Sequence, residues 1–156
     1  MGLSLKAAEM NQFLESIKVP GENFKCMLWG TVTSTDLHSF QNRSAASAIM
    51  FFAGVPGAAG SLSNCFCYIG VTEYSLYVVA LDAYNTSKIV GSFNLPYAHI
   101  TSLKVFKTAF GASHSIDIEC GGFVNLTVKS TSIGTDIKDQ KQRMELFLAT
   151  MELWKK

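Results

Sequence analysis

HSIDIECGGFVNLTVKS, residues 114–130, reads in two halves around a pair of glycines. In the first half Ile116, Ile118 and Cys120 alternate with Asp117 and Glu119. In the second, Val124, Leu126 and Val128 alternate with Asn125, Thr127 and Lys129. Successive side chains of a strand point to opposite faces, so each half is a strand with one apolar and one polar face. Gly121 and Gly122 accept the positive φ that a tight two-residue hairpin turn demands. The stretch predicts an antiparallel hairpin, 114–120 against 123–130.

Working outward, the same period of two recurs. Phe24, Cys26, Leu28 and Gly30 alternate with Lys25, Met27 and Trp29, predicting a first strand that runs to about residue 34. Four further strands are expected at 64–70, 74–82, 88–94 and 99–107, each bounded by turn residues. Within the third, LYVVAL (Leu76–Leu81) is apolar on both faces. Such a strand must be covered on both sides, by the N-terminal helix or by another subunit.

Both ends of the chain change to a helical period. Ala7, Met10, Phe13, Leu14 and Ile17 oppose Lys6, Glu9, Gln12 and Glu15, predicting a helix over 3–18 that VPGEN (Val19–Asn23) stops. At the other end Thr135 or Asp136 offers a cap. Ile137, Met144, Phe147, Leu148, Met151 and Trp154 then form an apolar stripe, and Lys155 and Lys156 suit the negative pole of the helix. The expected fold is mainly β (α+β), a seven-stranded antiparallel partial barrel closed by the C-terminal amphipathic helix. It forms one domain, with a helix and turn at 1–22 and the barrel at 23–156.

The totals narrow the function classes. A chain of 156 residues can bury a sizeable core. With 16% charged residues and a formal net charge of +1 it lacks the basic footprint of a nucleic-acid binder and the polybasic patch of a typical peripheral anchor. The start of the chain has no long apolar core behind a basic cap, so the expected compartment is the cytoplasm and the four cysteines are expected to be reduced.

Between Ser44 and Thr72 there is no Asp, Glu, Lys, Arg or His. Its centre, AASAIMFFAGVPGAAG (Ala45–Gly60), is too short and too rich in glycine for a membrane span of about 20 apolar residues. Ala45–Ala53 can form a short helix ended by Gly54 and Pro56. The stretch makes residues 35–63 a hydrophobic insertion between the first two strands.

Three motifs resemble those of bacterial pleckstrin-homology-like (PH-like) domains, which are close in fold to GRAM domains. They are PGE at Pro20–Glu22, GVTEYSLYVV at Gly70–Val79 and LPYAHITSLKV at Leu95–Val105. With the terminal helix they span most of residues 19–155. The resemblance implies the same partial barrel and carries almost nothing functional. The chain departs from it in the uncharged insertion and in the additional N-terminal helix. Where phosphoinositide-binding relatives keep a basic cluster, only Lys25, His38 and Arg43 are available, so that activity does not transfer.

No catalytic set emerges. His38, His99 and His114 lie in separate elements, and His114 has no flanking acid or nucleophile elbow. Cys65 and Cys67 share a face, but a zinc site would need two more ligands, with Cys26 and Cys120 the only thiol candidates; packed free thiols are the expected reading. The glycines at 54, 57 and 60 are followed by no Gly-Lys-Ser/Thr. The residues therefore point to a non-enzymatic module that binds protein, with self-association expected, and with neither metal nor cofactor. Its expected surface comprises Ile49, Met50, Phe51, Phe52, Tyr77 and Val79. The alternative is a peripheral membrane or lipid-binding module that dips the apolar loop 45–60 into a bilayer. Of the aromatics Trp29, Tyr68, Tyr74, Tyr77 and Tyr84, about half are expected in the core.

Overall fold

Alternation of apolar and polar residues produces seven strands: β1 (Cys26–Thr35), β2 (Leu62–Val71), β3 (Ser75–Leu81), β4 (Ile89–Pro96), β5 (Ser102–Lys107), β6 (Ser113–Glu119) and β7 (Phe123–Lys129). Two helices flank them, α1 (Ala7–Ile17) and α2 (Gln140–Trp154). The computed structural model describes residues 5–35, 62–108, 113–120, 122–131 and 135–155. The strands form one antiparallel sheet in the order β4-β3-β2-β1-β7-β6-β5. β4 and β5 are its two edges, so the sheet is not a closed barrel. This arrangement, with a helix after the last strand, fits the PH-like fold that the motifs imply.

The predicted hairpin is present. Ile116 pairs with Leu126, Ile118 with Val124, and the register runs to Glu119 and Phe123. The turn is one residue longer than expected: β6 ends at Glu119, one residue short of Cys120, whose amide donates to the Gly122 carbonyl at 3.0 Å. The fifth strand also starts later. Pro96 leads into a single 3-10 turn, Tyr97–His99, and Ile100 and Leu103 then anchor β5 in the core.

β1 is paired on both sides. Gly30–Thr35 pair with β7 while Cys26–Ser34 pair with β2. At Gly30 the backbones come so close that an added Cβ would lie 2.5 Å from the Thr127 carbonyl oxygen. The inner face of the sheet and α2 share the larger core, with Leu28, Ile69, Val78, Phe93, Ile116, Leu126 and Phe147 all fully buried.

The outer face of β1–β3 forms a second core under α1. Trp29, Tyr68, Tyr77, Val79 and Leu81 meet Leu5, Met10 and Leu14, joined by Ile137. β3 is thus buried on both faces, and the N-terminal helix supplies the second cover. Two tyrosine hydroxyls hold that helix by its ends. Tyr68 Oη accepts from the Lys6 amide at 3.1 Å, and Tyr77 Oη accepts from the Val19 amide at 3.0 Å. Tyr77 also donates to Glu22 Oε1 at 2.9 Å, and Thr72 Oγ1 donates to the same oxygen at 2.6 Å. Burial raises the Tyr77 hydroxyl to about 12, with the Glu22 carboxylate adding to the rise and the Val19 amide opposing it.

Asp136 was, with Thr135, one of the two residues expected to cap the C-terminal helix. It caps α1 instead, with Oδ1 accepting from the Ala7 amide at 2.6 Å while its own amide donates to the Leu5 carbonyl at 3.1 Å. A parallel bridge between Leu5 and Thr135 draws this segment onto the start of α1 and away from α2. The latter begins at Gln140, after Asp139 in the left-handed region at φ 61°. For the same reason Ile137 belongs to the core under α1 and not to the α2 stripe.

Two outcomes follow from this packing. Gly30→Ala lowers the unfolding free energy in urea by about 1–3 kcal/mol, because the obstacle is a backbone carbonyl that cannot rotate away. Tyr77→Phe lowers it at neutral pH by about 1–3 kcal/mol, because the Val19 amide loses its acceptor and the Glu22 carboxylate loses one of its two donors. A raised folded-state pKa contributes stability in full below the ordinary Tyr value of 10.0 and loses it as pH climbs towards 12. Stability of the wild type therefore falls across that window, and Tyr77→Phe shows a shallower fall.

Candidate interaction surface

The structure distributes the expected surface residues unevenly. Tyr77 and Val79 are fully buried beneath α1, so they present no surface while that helix is docked. Ile49, Met50, Phe51 and Phe52 lie outside the described residues. Of the aromatics, Trp29, Tyr68 and Tyr77 are core; Tyr74 and Tyr84 are exposed. Tyr84 sits at the tip of the β3–β4 turn, which Asp82 Oδ1 shapes by accepting from the Tyr84 and Asn85 amides. Tyr74 sits on the β2–β3 turn, where Thr72 Oγ1 accepts from the Tyr74 and Ser75 amides.

Tyr74 also walls an open recess of about 230 Å³ with Gly21, Glu22, Phe24, Lys25 and Glu73. Glu22 is already committed to Thr72 and Tyr77, so its carboxylate chiefly ties the PGE turn to the sheet. Beside this recess Tyr97 donates its amide to the Tyr74 carbonyl at 2.8 Å and sets its ring edge-on to Trp154 at 5.3 Å.

The cysteines pack as apolar side chains. Cys26, Cys67 and Cys120 are buried in the larger core, and Cys65 lies at its margin. Burial raises the Cys26 thiol to about 11 despite nearby Arg143 and Lys25, and it raises Cys67 further. Protonated thiols of this kind are poor nucleophiles and poor metal ligands. Among the described residues no group of three or more His, Cys, Asp and Glu side chains gathers where it could hold a metal.

Helix α2 departs most from expectation. Its buried side holds Met144, Phe147, Met151 and Trp154 as predicted, but also Gln140 and Thr150. Gln140 is buried because its Nε2 bridges the Trp29 and Lys129 carbonyls, at 3.0 and 2.9 Å, joining the helix start to β1 and β7. Thr150 returns its hydroxyl to the Leu146 carbonyl at 3.0 Å. Two leucines left outside the predicted stripe then face solvent, Leu146 at 48% exposure and Leu153 at 81%. They are seven residues apart and flank the exposed Ala149, which puts all three on one side of the helix. The signal was present in the sequence as two apolar residues that the stripe left unexplained.

No protein-family model matches the chain, and no curated protein matches it. Among solved structures it is similar to the hSac2 domain from human phosphoinositide phosphatase Sac2, at 11% identity and a TM-score of 0.48, over 93% of this chain and 79% of that one. It is also similar to the C-terminal domain of an unknown protein from Leishmania infantum, at 12% identity and a TM-score of 0.41, over 94% of this chain and 92% of that one.

Proposed function

We propose that the protein is a non-enzymatic binding module that works through protein–protein contacts, and that it associates with a second copy of itself. The observation that carries this reading is the solvent face of α2. A single exposed leucine needs no explanation, but two on one helix face beside an alanine make a continuous apolar strip. An antiparallel pairing about a two-fold axis is self-complementary on such a strip. It sets Leu146 of one copy against Leu153 of the other, with the helices crossing at Ala149, where the small side chain lets the backbones approach.

The membrane reading rests on the uncharged run from Ser44 to Thr72. Among the described residues no helix is long and apolar enough to cross a bilayer. Co-sedimentation with anionic lipid vesicles that is lost in Phe51→Ser/Phe52→Ser would support surface association by that run.

Sedimentation equilibrium tests the leading reading. The wild type is expected to show a concentration-dependent dimer. Leu146→Ser/Leu153→Ser should weaken it by more than about tenfold, since each buried leucine contributes about 1.5–3 kcal/mol. At concentrations where the wild type is monomeric, its thermal midpoint should match that of the wild type, because both side chains are exposed in the monomer. A wild type that remains monomeric at the highest attainable concentration removes the proposal.

A further inference from the structure

The two edges of the sheet are unlike. β4 is buried from Gly91 to Leu95, whereas β5 shows Lys104, Phe106 and Lys107 to solvent. We infer that the open edge of β5 takes an extended acidic segment of a partner protein as an eighth strand. The inference is independent of the pairing through α2, since it uses another surface and other residues.

The hydrogen-bond phase of β5 supplies the first part of the argument. The Thr108 amide donates to the Ser113 carbonyl at 3.1 Å, and this pair continues the register in which Lys104 faces Asp117 and Phe106 faces Ser115. In an antiparallel ladder hydrogen-bonded and non-hydrogen-bonded pairs alternate. Ser102, Lys104 and Phe106 therefore bond to β6, and the N–H and C=O groups of Leu103, Val105 and Lys107 point away from the sheet. No strand pairs with them among the described residues. Main-chain groups in this array are the template to which an extended peptide adds.

Side chains supply the second part. Phe106 stands on the outer face at 48% exposure, and the neighbours in its row are Ser115 and Thr127, too small to cover a ring. A strand laid outside β5 would bring a side chain against the open edge of that ring. On the other face Val105 and Leu148 of α2 are only partly buried at the margin of the core, so the alternate side chain of the incoming strand also meets apolar surface.

Charge then selects the partner. β5 carries Lys104 and Lys107 and no acidic residue, and neither lysine has an ion pair among the described residues. Asp117, opposite Lys104, already accepts from Asn125 Nδ2 at 2.6 Å. Lysine on an edge strand commonly guards against unwanted pairing. That guard repels basic strands and a second β5 but favours an acidic one, and a purely protective edge has no use for a half-exposed phenylalanine.

The test begins with a phage-displayed library of random linear peptides selected on the intact protein. Enriched sequences should alternate acidic with apolar residues. A fluorescent synthetic copy of the leading one should bind the wild type, and about tenfold or more weakly to Lys104→Glu/Lys107→Glu and to Lys107→Pro. The proline removes one outward amide without touching the bonds to β6. Hydrogen exchange on the wild type keeps the test open should a variant misfold: saturating peptide should slow the Leu103, Val105 and Lys107 amides by about tenfold or more. Leu146→Ser/Leu153→Ser should bind the peptide as the wild type does, which separates this outcome from that of self-association. No enrichment, enrichment without acidic bias, or protection confined to another part of the sheet would overturn the inference.

Discussion

Gly30 stands where β1 has to serve two neighbours at once. It lies in register with Cys67 on one side and Val128 on the other, and the Thr127 carbonyl occupies the space that a Cβ would take. Without the pairing of β1 with β7 the strands would form two separate sheets, β1–β4 and β5–β7. Joined, they make one sheet coiled around a single interior, and α2 packs into it. The register set by β1 decides which residues point inwards on every strand, since a slip of one residue would exchange the faces. Leu28, Val32, Leu126 and Val128 are inside and Trp29, Thr31, Asn125 and Thr127 outside for that one reason.

The outer face then divides in two. Over β1–β3 it is aromatic and apolar and has to be covered; over β5–β7 it is polar, with Asn125 bonded to both Ser115 and Asp117, and can face water. Helix α1 covers only the first part. Burying Met10 and Leu14 contributes about 1.5–3 kcal/mol each. Ordering an eleven-residue helix costs roughly 1–2 kcal/mol per residue before its own hydrogen bonds are counted. Those two side chains alone therefore offset only part of that cost. This explains why both helix ends are tied to the sheet or to its flanks, by Tyr68, Tyr77 and Asp136, and why Glu9 also accepts from Ser87 at 2.7 Å.

Where a feature depends on period and local turn chemistry, the amino-acid sequence showed it. The seven strands, the hairpin at 114–130, the two-sided burial of Leu76–Leu81 and both helices fall close to where alternation placed them. Features set by long-range contact were not legible. Asp136 looks like a cap for the helix that follows it, and only the bridge between Leu5 and Thr135 redirects it to a helix 129 residues away in the chain. Tyr77 looks like a surface aromatic in an apolar run, and only the docking of α1 buries it. The run from Ser44 to Thr72 stands out in the sequence because it lacks charge, yet Ile49–Phe52 within it lie outside the described residues.

The candidate surfaces that remain share one origin. A stripe explains a helix by what it buries, so Leu146 and Leu153 vanish from view once Met144, Phe147, Met151 and Trp154 have accounted for the fold. Alternation explains a strand in the same way, and Phe106 disappears once Leu103 and Val105 are assigned inwards. Each is an apolar residue on the wrong side of an otherwise satisfied pattern. Folding does not require any of the three to be apolar, since a polar side chain would serve equally well at an exposed position. Buried Gln140 and Thr150 are the converse case, polar residues on the inner side of α2 that the helix and the strands keep bonded. Together they leave α2 apolar on two opposite sides, one spent on the sheet and one still open to solvent.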